Sequence, residues 1–230
     1  GVVARDGFGR GAQGLELADV RAGHESTLTS TFQNHHPRGR RLGDPAAPLL
    51  LSVRASAGEG ASGAPAVLNV GATAAVEEGL AARVGLRAAR DLRRRLIQSF
   101  APCALGVDEE ALESALYDGL KSAGAADEAA LEAADLGRVL AAYLAIVEDE
   151  TGAPFPEDPR DQLARALAAG AAAWESPRAR VLRAARGEAA EAGLGFVVQA
   201  MALGLGEGLS GAGVADARCE RTGAPGLSGR

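Results

Sequence analysis

The chain has 230 residues and a formal net charge of −6, with 47% apolar residues but only 3% aromatic ones. That suits one large domain, or a domain with a helical subdomain, around a core of Leu, Val and Ala. The acidic balance argues against a nucleic-acid partner. No run of about 18 apolar residues marks a membrane span, and the N-terminus lacks the charged start and apolar core of a secretory signal. The chain opens on Gly1 rather than Met, and a fragment or a processed chain is expected. Cys103 and Cys219 stand outside any CxxC pair, which fits a reducing compartment and small buried or incidental residues.

Residues 1–41 read as irregular; they hold all three histidines, several glycines and the basic patch Arg38, Arg40 and Arg41. Pro45 and Pro48 punctuate a turn. Leu49 to Arg54 is an apolar run of strand length, Ala55 to Ala66 a small-residue loop, and Val67 to Val70 a return to extended structure. From Ala74 to about Arg186 the spacing predicts helices. Leu92, Leu96 and Phe100 recur every four residues, as do Leu112, Leu116 and Leu120. Leu136, Val139, Leu140, Tyr143, Leu144 and Val147 trace one face, with Glu132, Asp135 and Arg138 off it; burial is expected of Leu136, Leu140, Tyr143, Leu144 and Val147. Leu163, Leu167 and Trp174 mark a further helix. Three helix starts are signed by an acceptor side chain: Asp108 before two glutamates, Asp158 before Pro159, and Ser176 before Pro177. Phe196 to Met201 reads as a strand leading into a glycine-rich stretch that ends at Gly213, and the polar tail from Arg218 looks unfinished. The order suggests two separated β pieces of one sheet with helices inserted between them.

Few motifs carry chemistry. The two GxGxxG matches, at Gly9, Gly11, Gly14 and at Gly206, Gly208, Gly211, are expected by chance among 31 glycines. Arg90, Arg93, Arg94 and Arg95 read as a solvated helix face. His24, His35 and His36 lack partners at metal-ligand spacing. There is no Walker loop and no GxSxG. Arg54 differs: it ends an apolar strand before a Gly/Ser loop, where a planar, always-charged fork can grip phosphate and small residues let backbone N–H groups approach. A surface salt bridge is the alternative for it.

Leu42 to Arg54, with Leu-Leu-Leu-Ser-Val-Arg at its end, resembles the segment of pyruvate, phosphate dikinases that carries an ATP-phosphate arginine. The likeness continues in order through Val67 to Gly71, Glu78 to Arg83, Asp91 to Ile97, Thr151 to Leu163, Trp174 to Ala179, Val198 to Met201 and Ser210 to Val214. The Phe-Pro-Glu-Asp-Pro run at 155–159 and the Trp-Glu-Ser-Pro-Arg-Ala run favour this family over phosphoenolpyruvate synthase. The resemblance implies a helix-rich α+β fold: a partial ATP-grasp-like nucleotide-binding domain with an inserted helical subdomain. It divides the chain into an irregular segment at 1–41, a strand and phosphate-loop segment at 42–73, a helical subdomain at 74–187, and a truncated strand and glycine-rich segment at 188–230. It implies ATP and Mg2+ as cofactors and Arg54 as a phosphate contact. The reaction implied converts ATP, phosphate and pyruvate to AMP, diphosphate and phosphoenolpyruvate, by way of a phosphohistidine on a separate domain.

The chain also departs from the family. The family's loop after the arginine reads Ser-Met-Pro-Gly-Met-Met-Asp; here Gly58 to Ala66 stands, without the Asp and with Glu59. The family's Thr-Arg-Asn-Pro is replaced by Ala217-Arg218-Cys219-Glu220. Residues 9–12 and 17–20 resemble the family's N-terminal Gly-Lys-Gly-Ala and Leu-Ala-Glu-Met, which would make Arg10 a stand-in for an ATP-contacting lysine; Val2 to Arg5 instead resembles the stretch just after the phosphohistidine. The expectation is an ATP-binding fragment, inactive alone, with no transferable histidine identified. The rival is a non-catalytic helical binding or scaffold protein of the same descent. A homo-oligomer and either compartment, cytosol or plastid, stay open.

Overall fold

A computed structural model describes residues 2–5, 39–56, 66–187, 194–203, 215–219 and 222–229. The architecture is α+β and rich in helix. A four-stranded sheet has the order β1 (Val2–Arg5), β6 (Gly195–Ala200), β4 (Leu51–Ser56), β5 (Val67–Val70). β1 runs parallel to β6, whereas β4 is antiparallel to both β6 and β5. The parallel pair β2 (Arg41–Leu42) and β3 (Pro48–Leu49) precedes β4, and β7 (Ala215–Arg218) with β8 (Pro225–Gly229) forms a hairpin. Between β5 and β6 lie α1 (Ala74–Val84), α2 (Leu86–Phe100), α3 (Glu109–Ala123), α4 (Ala133–Thr151), α5 (Pro159–Glu175) and α6 (Pro177–Ala185). Strands far apart in sequence thus share one sheet, with the helices inserted between them.

The helix starts follow local chemistry. Asp108 accepts from the Glu110 N–H, Asp158 from the Arg160 N–H, and Ser176 from the Ala179 N–H, each satisfying a donor the helix leaves unpaired. Pro159 and Pro177 occupy the first turn, where their missing N–H costs nothing. At the far end of α2, Pro102 cannot donate to the preceding turn, and the helix widens into one π-turn at Ala101–Leu105.

The core runs from Leu96, Ile97 and Phe100 on α2 to the inner face of the sheet at Leu51, Val53, Val70 and Val198. Phe100 meets Phe155 edge-on at 5.5 Å. Of the α4 stripe, Leu136, Leu140, Tyr143 and Val147 are buried, while Leu144 is half-buried on its flank. Gln162 on α5 is fully buried: its amide oxygen accepts from the Gly71 N–H at 2.9 Å and its amide nitrogen donates to the Pro156 carbonyl at 2.7 Å. That bond braces the turn from β5 into α1, where Asn69 and Gly71 both take positive φ.

Two readings need correction. Residues 1–41 are not irregular throughout: Val2–Arg5 forms an outer strand, stabilised by long-range pairing with β6 that a four-residue run cannot signal by itself. The arginine cluster on α2 is not a solvated face. Arg94 is fully buried, 2.8 Å from Asp91 and 2.5 Å from Glu128, and it also bonds Gln98. Arg93 reaches Glu77 at 3.2 Å and Glu157 at 2.5 Å. Arg87 donates to the carbonyls of Glu128, Ala129 and Leu131, and Arg90 to that of Ala133. Only Arg95 of the cluster stays well exposed. Arg87, Arg90, Arg94 and Arg95 clamp the connection between α3 and α4 onto α2, while Arg93 ties α2 to α1 and to the segment before α5.

Close packing also fixes α1. A Cβ added at Gly79 would lie 1.8 Å from the Pro45 carbonyl oxygen, a backbone atom that cannot swing aside. Gly79→Ala is expected to destabilise the chain by at least about 1–3 kcal/mol, the usual range for overpacking; urea unfolding followed by circular dichroism measures it.

Candidate functional site

Strand alternation divides the sheet into two chemically different faces. On β4, Val53 and Ala55 line the helical side, and Ser52 and Arg54 alternate with them, Ser52 buried and Arg54 exposed. Phe196 of β6 packs on the helical side, where a Cβ at Gly170 of α5 would come within 2.5 Å of its ring. An apolar cleft of about 350 Å³ lies on that side, between Val53, Ala55, Val67 and Phe196 of the sheet and Ala169 and Gly170 of α5, with Cys103 of the π-turn in its wall. Burial pushes the Cys103 thiol up to about 11, and its S–H donates to the Ser99 carbonyl at 3.1 Å. It is therefore a protonated, weakly nucleophilic group at neutral pH. Neither Cys103 nor Cys219 forms a disulfide.

The other face carries Arg54. It stands directly across from Val197, and Ser52 stands across from Gln199. Arg54 is exposed and makes no ion pair or side-chain hydrogen bond with any described residue. Its guanidinium presents donors in a fixed planar fork. The sheet thus separates Arg54 from the apolar cleft, and the two do not form one site. Arg10, the Gly58–Pro65 stretch, the three histidines and both GxGxxG matches lie outside the described residues.

Among the described residues no group of three or more His, Cys, Asp or Glu could hold a metal ion. Among the described residues no helix is long and apolar enough to cross a membrane.

Sequence reasoning singled out Arg54 as a candidate and missed the cleft, whose lining residues are scattered over β4, β5, β6, α5 and the π-turn and carry no local signal.

No protein-family model matches the chain. Among curated proteins, it is 36% identical over 192 residues to pyruvate, phosphate dikinase 1, chloroplastic, of Zea mays, covering 83% of this chain and 20% of that protein. It is 37% identical over 193 residues to pyruvate, phosphate dikinase of Rhizobium meliloti (strain 1021), covering 83% of this chain and 22% of that protein. Over 188 residues it is 37% identical to the Giardia intestinalis pyruvate, phosphate dikinase, covering 80% and 21%. The chain spans about a fifth of the length of these curated relatives.

Proposed function

We propose that this chain, homologous to a partial region of the pyruvate, phosphate dikinases, is an ATP-binding part of that catalytic machinery, with Arg54 gripping the nucleotide phosphates. The observation that carries the reading is the exposed guanidinium of Arg54 on β4, which has no partner among the described residues. In this reading the sheet is the nucleotide-facing wall of an ATP-grasp-like domain and the helices are its insert. When bound, Mg2+ neutralises phosphate charge, and Arg54 supplies two parallel donors to one phosphate. Arg10 is the second cation that the resemblance suggests for the same ligand.

The test is calorimetric titration of the chain with Mg-ATP. Hydrogen bonds to charged groups contribute about 1.5–3 kcal/mol, so Arg54→Ala is expected to weaken binding about 10- to 150-fold. Arg54→Lys should recover only part, because a point charge lacks the planar fork. Equal binding by parent and alanine variant would make Arg54 structural. No binding at millimolar ATP would favour the other reading, a helical scaffold of the same descent, which the missing loop aspartate and the presence of Glu59 support.

The whole reaction is a separate question. These 230 residues match about a fifth of each relative, and they offer no identified phosphohistidine. The purified chain is expected to form no phosphoenolpyruvate from pyruvate, ATP and phosphate in a coupled assay. Clear turnover would overturn the reading of a partial, dependent unit.

A further inference from the structure

The apolar cleft between the sheet and α5 takes no part in the proposed nucleotide site. Its volume, about 350 Å³, falls within the range of small-molecule clefts, roughly 300–1,000 Å³. The cleft exists because α5 turns small residues toward the sheet. Ala166, Ala169, Gly170 and Ala173 all line it, and they follow the spacing of one helix face. Val53 and Phe196 line it from the sheet. Phe196 packs directly onto Gly170, which fixes its ring in the wall, and the alanines on either side are too short to close the space beside it. Ala172 is exposed and Ala173 half-buried, so the cleft opens to solvent along α5.

The lining decides what can enter. Among the described residues that form it none is charged, and the Cys103 S–H is already donated to the Ser99 carbonyl. A charged or strongly hydrogen-bonding molecule would give up its water there and find no partner. An uncharged apolar molecule loses nothing on entry and gains by leaving water. Size narrows the choice further. An apolar cavity of about 150 Å³ admits benzene, so a cleft about twice that volume has room for two fused rings. A slot between a strand layer and a helix suits a flat molecule, and the Phe196 ring offers it an aromatic contact.

We infer that this cleft is a second binding site, for a flat, uncharged, apolar molecule of about two fused rings. Burial and contact with Phe196 hold the molecule, without hydrogen bonds. An occupant would tie β4 and β6 to α5, against Val53 and Ala55, the residues that flank Arg54 in the strand. The inference does not depend on nucleotide binding.

Titration of the isotope-labelled 230-residue chain with naphthalene, followed through backbone amide shifts without nucleotide, tests it. Saturable shifts are expected at Cys103, Ala169, Gly170 and Phe196, and none in α3. Ala169→Leu and Ala173→Leu should each weaken binding by about tenfold or more, because leucine takes the ligand's space. Both sites are half-buried alanines on a helix that leucine favours, and circular dichroism verifies the fold. If one variant unfolds, the other and the parent's shift pattern decide. Naphthoate, the same rings bearing a carboxylate, should bind at least about tenfold more weakly than naphthalene. A parent chain without saturable shifts overturns the inference. So do shifts confined to other elements, leucine variants that bind as tightly as the parent, or naphthoate binding equal to that of naphthalene.

Discussion

Arg94→Ala is expected to lower the stability of the chain by about 3–5 kcal/mol, the cost typical of removing one partner of a buried ion pair. The side chain is fully buried, and its three charged or polar partners come from two places: Asp91 and Gln98 on α2 itself, and Glu128 in the connection between α3 and α4. Alanine leaves two carboxylates facing each other across a space the guanidinium filled. The connection would keep the bonds from Arg87 and Arg90, so local loosening and global destabilisation should coincide without loss of the helices. Replacing Arg94, Asp91 and Glu128 together by apolar residues of similar volume should recover much of the loss, because desolvation offsets much of what such a network contributes. Urea unfolding of the parent, the single and the triple variant separates these outcomes.

The same cluster sets an acid sensitivity. Burial would raise the Asp91 carboxyl, but hydrogen bonds and charge from Arg94, then Arg95, outweigh it and hold the group below the ordinary carboxylate range. A depressed folded-state value means that the unfolded chain binds the proton first. The stabilisation is then fully present above the unfolded value, about 3.9, and is lost as pH falls through the lower folded value. Parent stability should therefore fall below about pH 4, and the Arg94→Ala variant should lose less over that interval.

Leu140→Ala is the second large effect. Leu140 is buried on α4 within the stripe that faces α2 and α3, and its removal leaves a void lined by neighbours fixed in their own rotamers. The expected loss is about 2–5 kcal/mol, the spread reflecting how far the site can collapse. Leu144, half-buried one turn on, is the internal comparison: its truncation should cost distinctly less. If the two cost the same, burial along this face has been misjudged.

What could be read from the sequence was whatever depends on near neighbours. Asp108, Asp158 and Ser176 sit immediately before the helices they cap, and the leucines of α3 and α4 repeat within one helix. What could not be read depends on distance. Arg94 is buried because Glu128, thirty-four positions away, reaches it; from the local run of arginines it looks like any wet face. β1 exists because β6 lies beside it. Arg54 was visible for a local reason, an apolar strand that ends on a cation before small residues, and its freedom from any described partner could only be seen once the sheet was assembled.

The insertion of six helices between β5 and β6 has a kinetic consequence. Contacts within the helical block are mostly short in sequence, whereas β6 must return across residues 71–194 to find β4. Closing so long an excursion costs entropy that the strand bonds repay only after the helices have shortened the gap. The sheet is therefore expected to close late and to open early, and hydrogen exchange tests this: its amides should exchange with solvent sooner than those of α2 and α4. The face that bears Arg54 would then come and go with an event that leaves most of the helical protein intact.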